Sequence, residues 1–164
     1  MRNLRWRSAA CASLTAVAAC AAVAGGALAA PSKSPPGANG TVKIDDRPFD
    51  SHPNNEPHVG CVFQVDFYGF DKGNYNADVT FTIQPPSGKG RVIRTDRVFI
   101  GEDAAGGGTD LDAERTYDLN WDVFSYERHP KQGFHIKLDV QAPGANGKIA
   151  KKSKVFWARD CIDP

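Results

Sequence analysis

The chain has 164 residues, with 20 Lys or Arg against 19 Asp or Glu and a formal charge of +1 near neutrality. Hydrophobic residues make up 41% of it, enough to build one core of ordinary size. Charges of both signs are interspersed, which excludes the basic stripe of a nucleic-acid binder and the acidic block of a polyanionic tail.

Segment 1–29 reads as an export signal. Arg2, Arg5 and Arg7 form a positive start, an apolar stretch runs from Ala9 to Val23, and Ala27-Leu28-Ala29 supplies a small-residue cleavage site. That stretch is too short and too rich in alanine for a membrane span, which needs roughly 20 strongly apolar residues. A second reading competes: Val17-Ala18-Ala19-Cys20 resembles a lipobox, in which Cys20 would be lipidated and would hold the protein at the outer face of the cell membrane. The residues after Cys20 stay apolar where a lipoprotein turns polar, so secretion is the leading expectation and lipidation its alternative. Cleavage would remove three of the basic residues and none of the acidic ones, leaving 17 against 19, a charge of −2. Residues 30–40 are a Pro/Ser/Gly linker, and 41–164 is expected to be a single domain.

Period-two alternation dominates that domain. A short strand is expected in TVKID (41–45). In CVFQVDFYGF, Cys61, Phe63, Val65 and Phe67 share one face, opposite Gln64, Asp66 and Tyr68. Val79, Phe81 and Ile83 alternate in the next run, and RVIRTDRVFIG (91–101) mixes charges into an apolar run as an edge strand or a bent hairpin does. TYDLNWDV predicts a strand with Tyr117, Leu119, Trp121 and Val123 inward. FHIKLDV alternates Phe134, Ile136, Leu138 and Val140, and KVFWA closes the set. Such alternation marks half-buried antiparallel strands. Turns rich in Gly, Pro and Asn separate them.

Cysteine spacing adds a constraint. Cys11 and Cys20 fall in the leader, leaving Cys61 and Cys161, which in an exported domain are expected to pair. The fold class predicted is all-β: an immunoglobulin-like or fibronectin-III-like antiparallel β-sandwich of about seven strands with one disulfide at the edge of its core. A jelly roll or small barrel is the alternative.

HVGCVFQVDFYGFDKG, RVFIGEDAAGGGTDLDAERTYDL, HPKQGFHIKLDV and KVFWARDC together resemble a family of small exported actinobacterial proteins of unknown function. The resemblance covers roughly residues 52–161. Many of those relatives continue past the final cysteine into a spacer and an LPXTG cell-wall sorting signal. It implies a surface or extracellular setting and carries no catalytic residue. Only Ile162, Asp163 and Pro164 follow Cys161 in this sequence, so no sorting signal is present in it, and the cysteine is expected to close the domain.

Four groups of residues invite a functional reading. Glu102, Asp103, Asp110 and Asp112 flank the Gly106–Gly108 run, and hard oxygen ligands on a glycine-rich loop suit calcium. The alternative is a solvated connection whose aspartates bond to nearby backbone. Tyr68, Phe70 and Tyr75 surround the Gly69–Asn74 turn and would stack on a sugar or a partner if exposed, or pack the end of the domain if not. His52, Glu56 and His58 would suit zinc only if they converged across Pro53 and Pro57. No nucleophile elbow, phosphate loop or dinucleotide fingerprint is present. The expectation is therefore a monomeric, non-enzymatic extracellular or cell-envelope interaction module, with loops 69–76, 101–113 and 128–133 at one end meeting an unknown protein or a cell-wall glycan. Alternatives are a secreted inhibitor or effector acting on another protein, and a metal-assisted hydrolase. No cofactor is expected beyond calcium.

Overall fold

The computed structural model describes residues 40–51, 54–102 and 110–162, and all of these belong to one compact unit. Residues 1–39, on which the expected export signal, Cys20 and the expected linker fall, and also His52, Asp103 and the Gly106–Gly108 run lie outside the described residues. No described helix is long and apolar enough to cross a membrane.

Among the described residues eight strands form two sheets. β1 (Thr41–Asp45) pairs antiparallel with β3 (Val62–Tyr68), which pairs antiparallel with β6 (Leu111–Asp118). The second sheet runs β2 (His58–Gly60), β8 (Ile149–Arg159), β7 (Phe134–Pro143), β4 (Asn76–Ile83), β5 (Arg91–Phe99). Its pairs are antiparallel except β2–β8, which is parallel. One helical turn, α1 (Asn120–Val123), follows β6. The β-rich class and the charged edge strand at 91–99 match the sequence pattern. The three-residue β2 does not show in it, because three residues cannot display an alternation.

The inward faces meet through aromatic rings. Phe63 of β3 lies edge-on to Phe81 of β4 at 5.9 Å and to Phe156 of β8 at 5.1 Å, and Tyr117 of β6 meets Phe81 at 4.7 Å. These rings therefore join the two sheets, each contact adding about 0.5–1.5 kcal/mol to its area burial. Cys61 and Cys161 are disulfide-bonded with Cα atoms 4.9 Å apart, and both belong to the core. The bridge ties the entry of β3 to the exit of β8, one from each sheet, as the cysteine spacing predicts.

Two expectations fail here. The run 116–123 does not continue as a strand: Asp118 Oδ1 accepts hydrogen bonds from both Asn120 N and Asn120 Nδ2, which turns the chain. Asp122 N and Val123 N then donate to Leu119 O, closing a helical turn. Val123 stays buried, but Trp121 swings out to solvent. Secondly, the polar side of β3 is not solvated: Gln64, Asp66 and Tyr68 are all buried, so the strand is covered on both faces.

Candidate functional site

The loops expected to gather at one end divide between two. Gly69 N donates to Asp110 O, Gly73 N to Gly101 O, and Ala145 N to Asp71 Oδ2. Residues 69–76, 100–102 and 110 therefore sit with the β7–β8 hairpin turn. Residues 128–133 enter the opposite end of β7, a strand of ten residues and so roughly 30 Å long. That second end also holds the disulfide and α1, since Leu119 N donates to Cys61 O.

At the first end two of the four residues expected to bind calcium, Asp110 and Asp112, also hold the local chain. Asp112 is buried, and its Oδ2 accepts the Phe70 amide at 2.8 Å, so it fixes the chain where β3 turns away. Asp110 contributes its carbonyl to Gly69, and Glu102 stands at the edge of the described segment. Among the described residues no three His, Cys, Asp or Glu side chains could hold a metal ion. Of the two readings of these aromatics, burial favours packing over stacking: Tyr68 and Phe70 are buried, Phe70 packs on Phe67 at 6.2 Å, and Tyr75 is half-buried against the core. None of the three offers an open stacking face.

Of the His52, Glu56 and His58 group, His52 lies outside the described residues and the other two are described. Glu56 accepts the Asp46 amide, and Glu56 N donates to Ile44 O, which fastens the loop between β1 and β2. His58 lies on β2 opposite Trp157. The Trp157 ring stacks on His135 at 4.4 Å and touches His129 at 5.5 Å. His129 Nδ1 accepts the amides of Lys131 and Gln132, so it shapes the turn before β7.

Asp66 carries a marked electrostatic anomaly. It is fully buried on β3, and neither carboxylate oxygen has a hydrogen bond of good geometry. Burial pushes its pKa up to about 6; Gln64 and Lys43 oppose the rise, and the charges of Asp45 and Glu114 add to it. Tyr68 beside it is pushed up to about 12, again chiefly by burial. Its position marks a cost in the fold.

The exposed aromatic surface lies at the disulfide end, where sequence periodicity hid it. Trp121 is 79% exposed, Phe124 42% and Ile162 60%. The Trp121 and Phe124 rings lie 5.8 Å apart, and together with Asn120 and Ile162 they line a shallow depression. Three contacts hold this surface in place. Arg94 of β5 donates to both Asp118 O and Asp122 Oδ2 at 3.0 Å. Ile162 N donates to Asn120 Oδ1 at 2.8 Å, and the disulfide lies one residue before Ile162. The patch is thus preorganised, which lowers the ordering cost of binding. One signal in the sequence could have located it: Asp118 and Asn120 two apart, followed by Asp122, a pattern that stops a strand and opens a helical turn.

Comparisons of the chain with protein-family models, with curated proteins and with solved structures find no match.

Proposed function

We propose that this protein is an extracellular or cell-envelope interaction module, built on an immunoglobulin-like β-sandwich, that engages a partner through Trp121, Phe124 and Ile162. The observation carrying the reading is the exposure of Trp121 on a braced helical turn beside the disulfide. A tryptophan is a costly residue to leave in water and one of the commonest anchors at binding surfaces. Covering a ring of roughly 200 Å² yields up to about 5 kcal/mol at 25 cal/mol per Å², of which a typical anchor retains about 2–4. Asn120 and the carboxylates of Asp118 and Asp122 rim the patch with polar groups, suited to a protein partner or a cell-wall glycan. The extracellular setting is supported by the disulfide, which persists in oxidising compartments, and by the leader-like segment 1–29.

The test is retention on insoluble cell-wall material and on purified peptidoglycan, comparing the native protein with W121A/F124A. Native protein retained at least 30-fold more strongly than the variant, with equal melting temperatures, would support the reading. Equal retention, or none by the native protein on the whole cell-wall fraction, would contradict it.

A further inference from the structure

The two lateral sides of the sheet pair are chemically opposite. On the β5–β6 side, Asp96 of β5 accepts Arg115 Nε at 2.9 Å and the Tyr117 hydroxyl at 3.2 Å, so an ion pair joins the two sheets. These hydrogen bonds, with that from Arg97 N, hold the Asp96 carboxyl below its usual range against the opposing effect of burial. On the β1–β8 side, among the described residues, two lysines of β8 have no such partner. Lys152 and Lys154 lie opposite Val140 and Leu138 in the register, which places them on the core-facing side of β8 with Phe156 and Ala158. Partial burial, then the charges of Lys43 on β1 and of Lys152, lower the Lys154 pKa. Among the described residues neither Lys152 nor Lys154 forms an ion pair, although Lys137 and Arg97 on other strands of this sheet do.

The same side presents an uncovered strand edge. β2 covers only the end of β8, pairing with Trp157, Ala158 and Arg159, and Trp157 N donates to Pro57 O. Along a strand, the amide and carbonyl of every second residue point to the same edge. Lys151, Ser153 and Val155 therefore turn their N–H and C=O groups toward the side that β2 leaves open. Among the described residues nothing pairs with them there.

We propose that the open edge of β8, residues 149–155, takes an extended acidic segment of a partner polypeptide as an added strand, its carboxylates meeting Lys152 and Lys154. Strand addition gives affinity through main-chain hydrogen bonds and specificity through alternate side chains. The lysines set that specificity in both directions. A second copy of β8 would bring like charges together, and a neutral strand would enclose ammonium groups without a counter-charge, so both are rejected. A strand with Asp or Glu at every second position supplies the missing charge. The exposed Ile149 and Val155 lie on the opposite face of the same edge and favour β-branched residues at the intervening positions. This surface is separate from the Trp121 patch, and either can fail without the other.

The experiment uses the disulfide-closed protein and a labelled peptide of alternating Glu and Val, followed by fluorescence anisotropy and amide hydrogen exchange. Binding is expected, with new protection at the amides of Lys151, Ser153 and Val155. A peptide N-methylated on its pairing edge should lose at least 30-fold in affinity. K152E/K154E should lose the Glu peptide and gain the matching Lys/Val peptide, a reversal that misfolding cannot produce. Hydrogen exchange on the unsubstituted protein tests the same point without a variant. The proposal is overturned if the peptide does not bind at millimolar concentration, if the N-methylated peptide binds equally well, or if inorganic polyphosphate protects the same lysines and displaces the peptide without any change at the three amides. The last result would make the cluster an anion site instead.

Discussion

Replacing Asp66 with Asn removes a charge that the fold buries at a loss. The folded carboxyl titrates at about 6 against an ordinary value of 3.8. Between these values the folded protein holds a proton that the unfolded chain has released, so stability falls as pH rises from about 4 to about 6. Below that window there is no penalty, and above it the penalty is complete. At 1.36 kcal/mol per pH unit the gap amounts to about 3 kcal/mol. The asparagine amide is itself left in a buried position without partners and costs about 1 kcal/mol, so about 2 kcal/mol is the expected net gain. For a domain of this size that corresponds to a rise of roughly 6–8 °C in Tm. The assay is urea unfolding of both proteins at pH 4 and at pH 7.5. D66N should be the more stable by about 2 kcal/mol at pH 7.5, and by less than about 0.5 kcal/mol at pH 4. Equal stability at pH 7.5, or a gap that does not change with pH, would refute the reasoning.

Three further outcomes follow from single contacts. Gly133 has φ +86°, and a Cβ there would run into the Ala158 carbonyl, so Gly133→Ala should cost at least about 2 kcal/mol in urea unfolding. Asp112→Ala leaves the buried Phe70 amide without its acceptor and should cost about 1–3 kcal/mol, whereas Asp112→Asn, which keeps an oxygen, should cost less. Reducing the disulfide reopens a separation of 100 residues, worth about 4.7 kcal/mol in the chain-entropy treatment, and thermal scans with and without reductant should show the largest fall of the set.

The sequence made the strands legible where one face is wet. β7 and β4 alternate cleanly because β7 exposes its polar side and β4 its Asp78, and the same logic located β5 at an edge from Arg94, Asp96 and Arg97. The cysteine spacing likewise led to the observed bridge, because only two cysteines remain outside segment 1–29. Legibility ended where two periods coincide. Leu119, Trp121 and Val123 are two apart, yet Leu119 and Val123 are also four apart, so the same residues satisfy a strand and a helical turn. The side-chain bond from Asp118 decides in favour of the turn. That ambiguity concealed Trp121, the residue on which the functional reading now rests. The buried side of β3 was hidden for a different reason: Gln64, Asp66 and Tyr68 look like a wet face, and only tertiary packing makes them interior. The lysines of β8 are equally mute in the sequence, since nothing local tells that Lys152 and Lys154 fall on the core-facing side of a partly uncovered strand.

The central claim is a disulfide-closed module acting outside the cytoplasm, and the intact mass of the native protein tests it most directly. Unreduced protein is taken from the medium and from the envelope fraction, after free thiols have been blocked with an alkylating agent. The expected species is two hydrogens lighter than the reduced chain, takes up no label at Cys61 and Cys161, and begins at Ala30 in the medium or at a diacylated Cys20 in the envelope. A full-length chain inside the cell with both cysteines alkylated would contradict the claim.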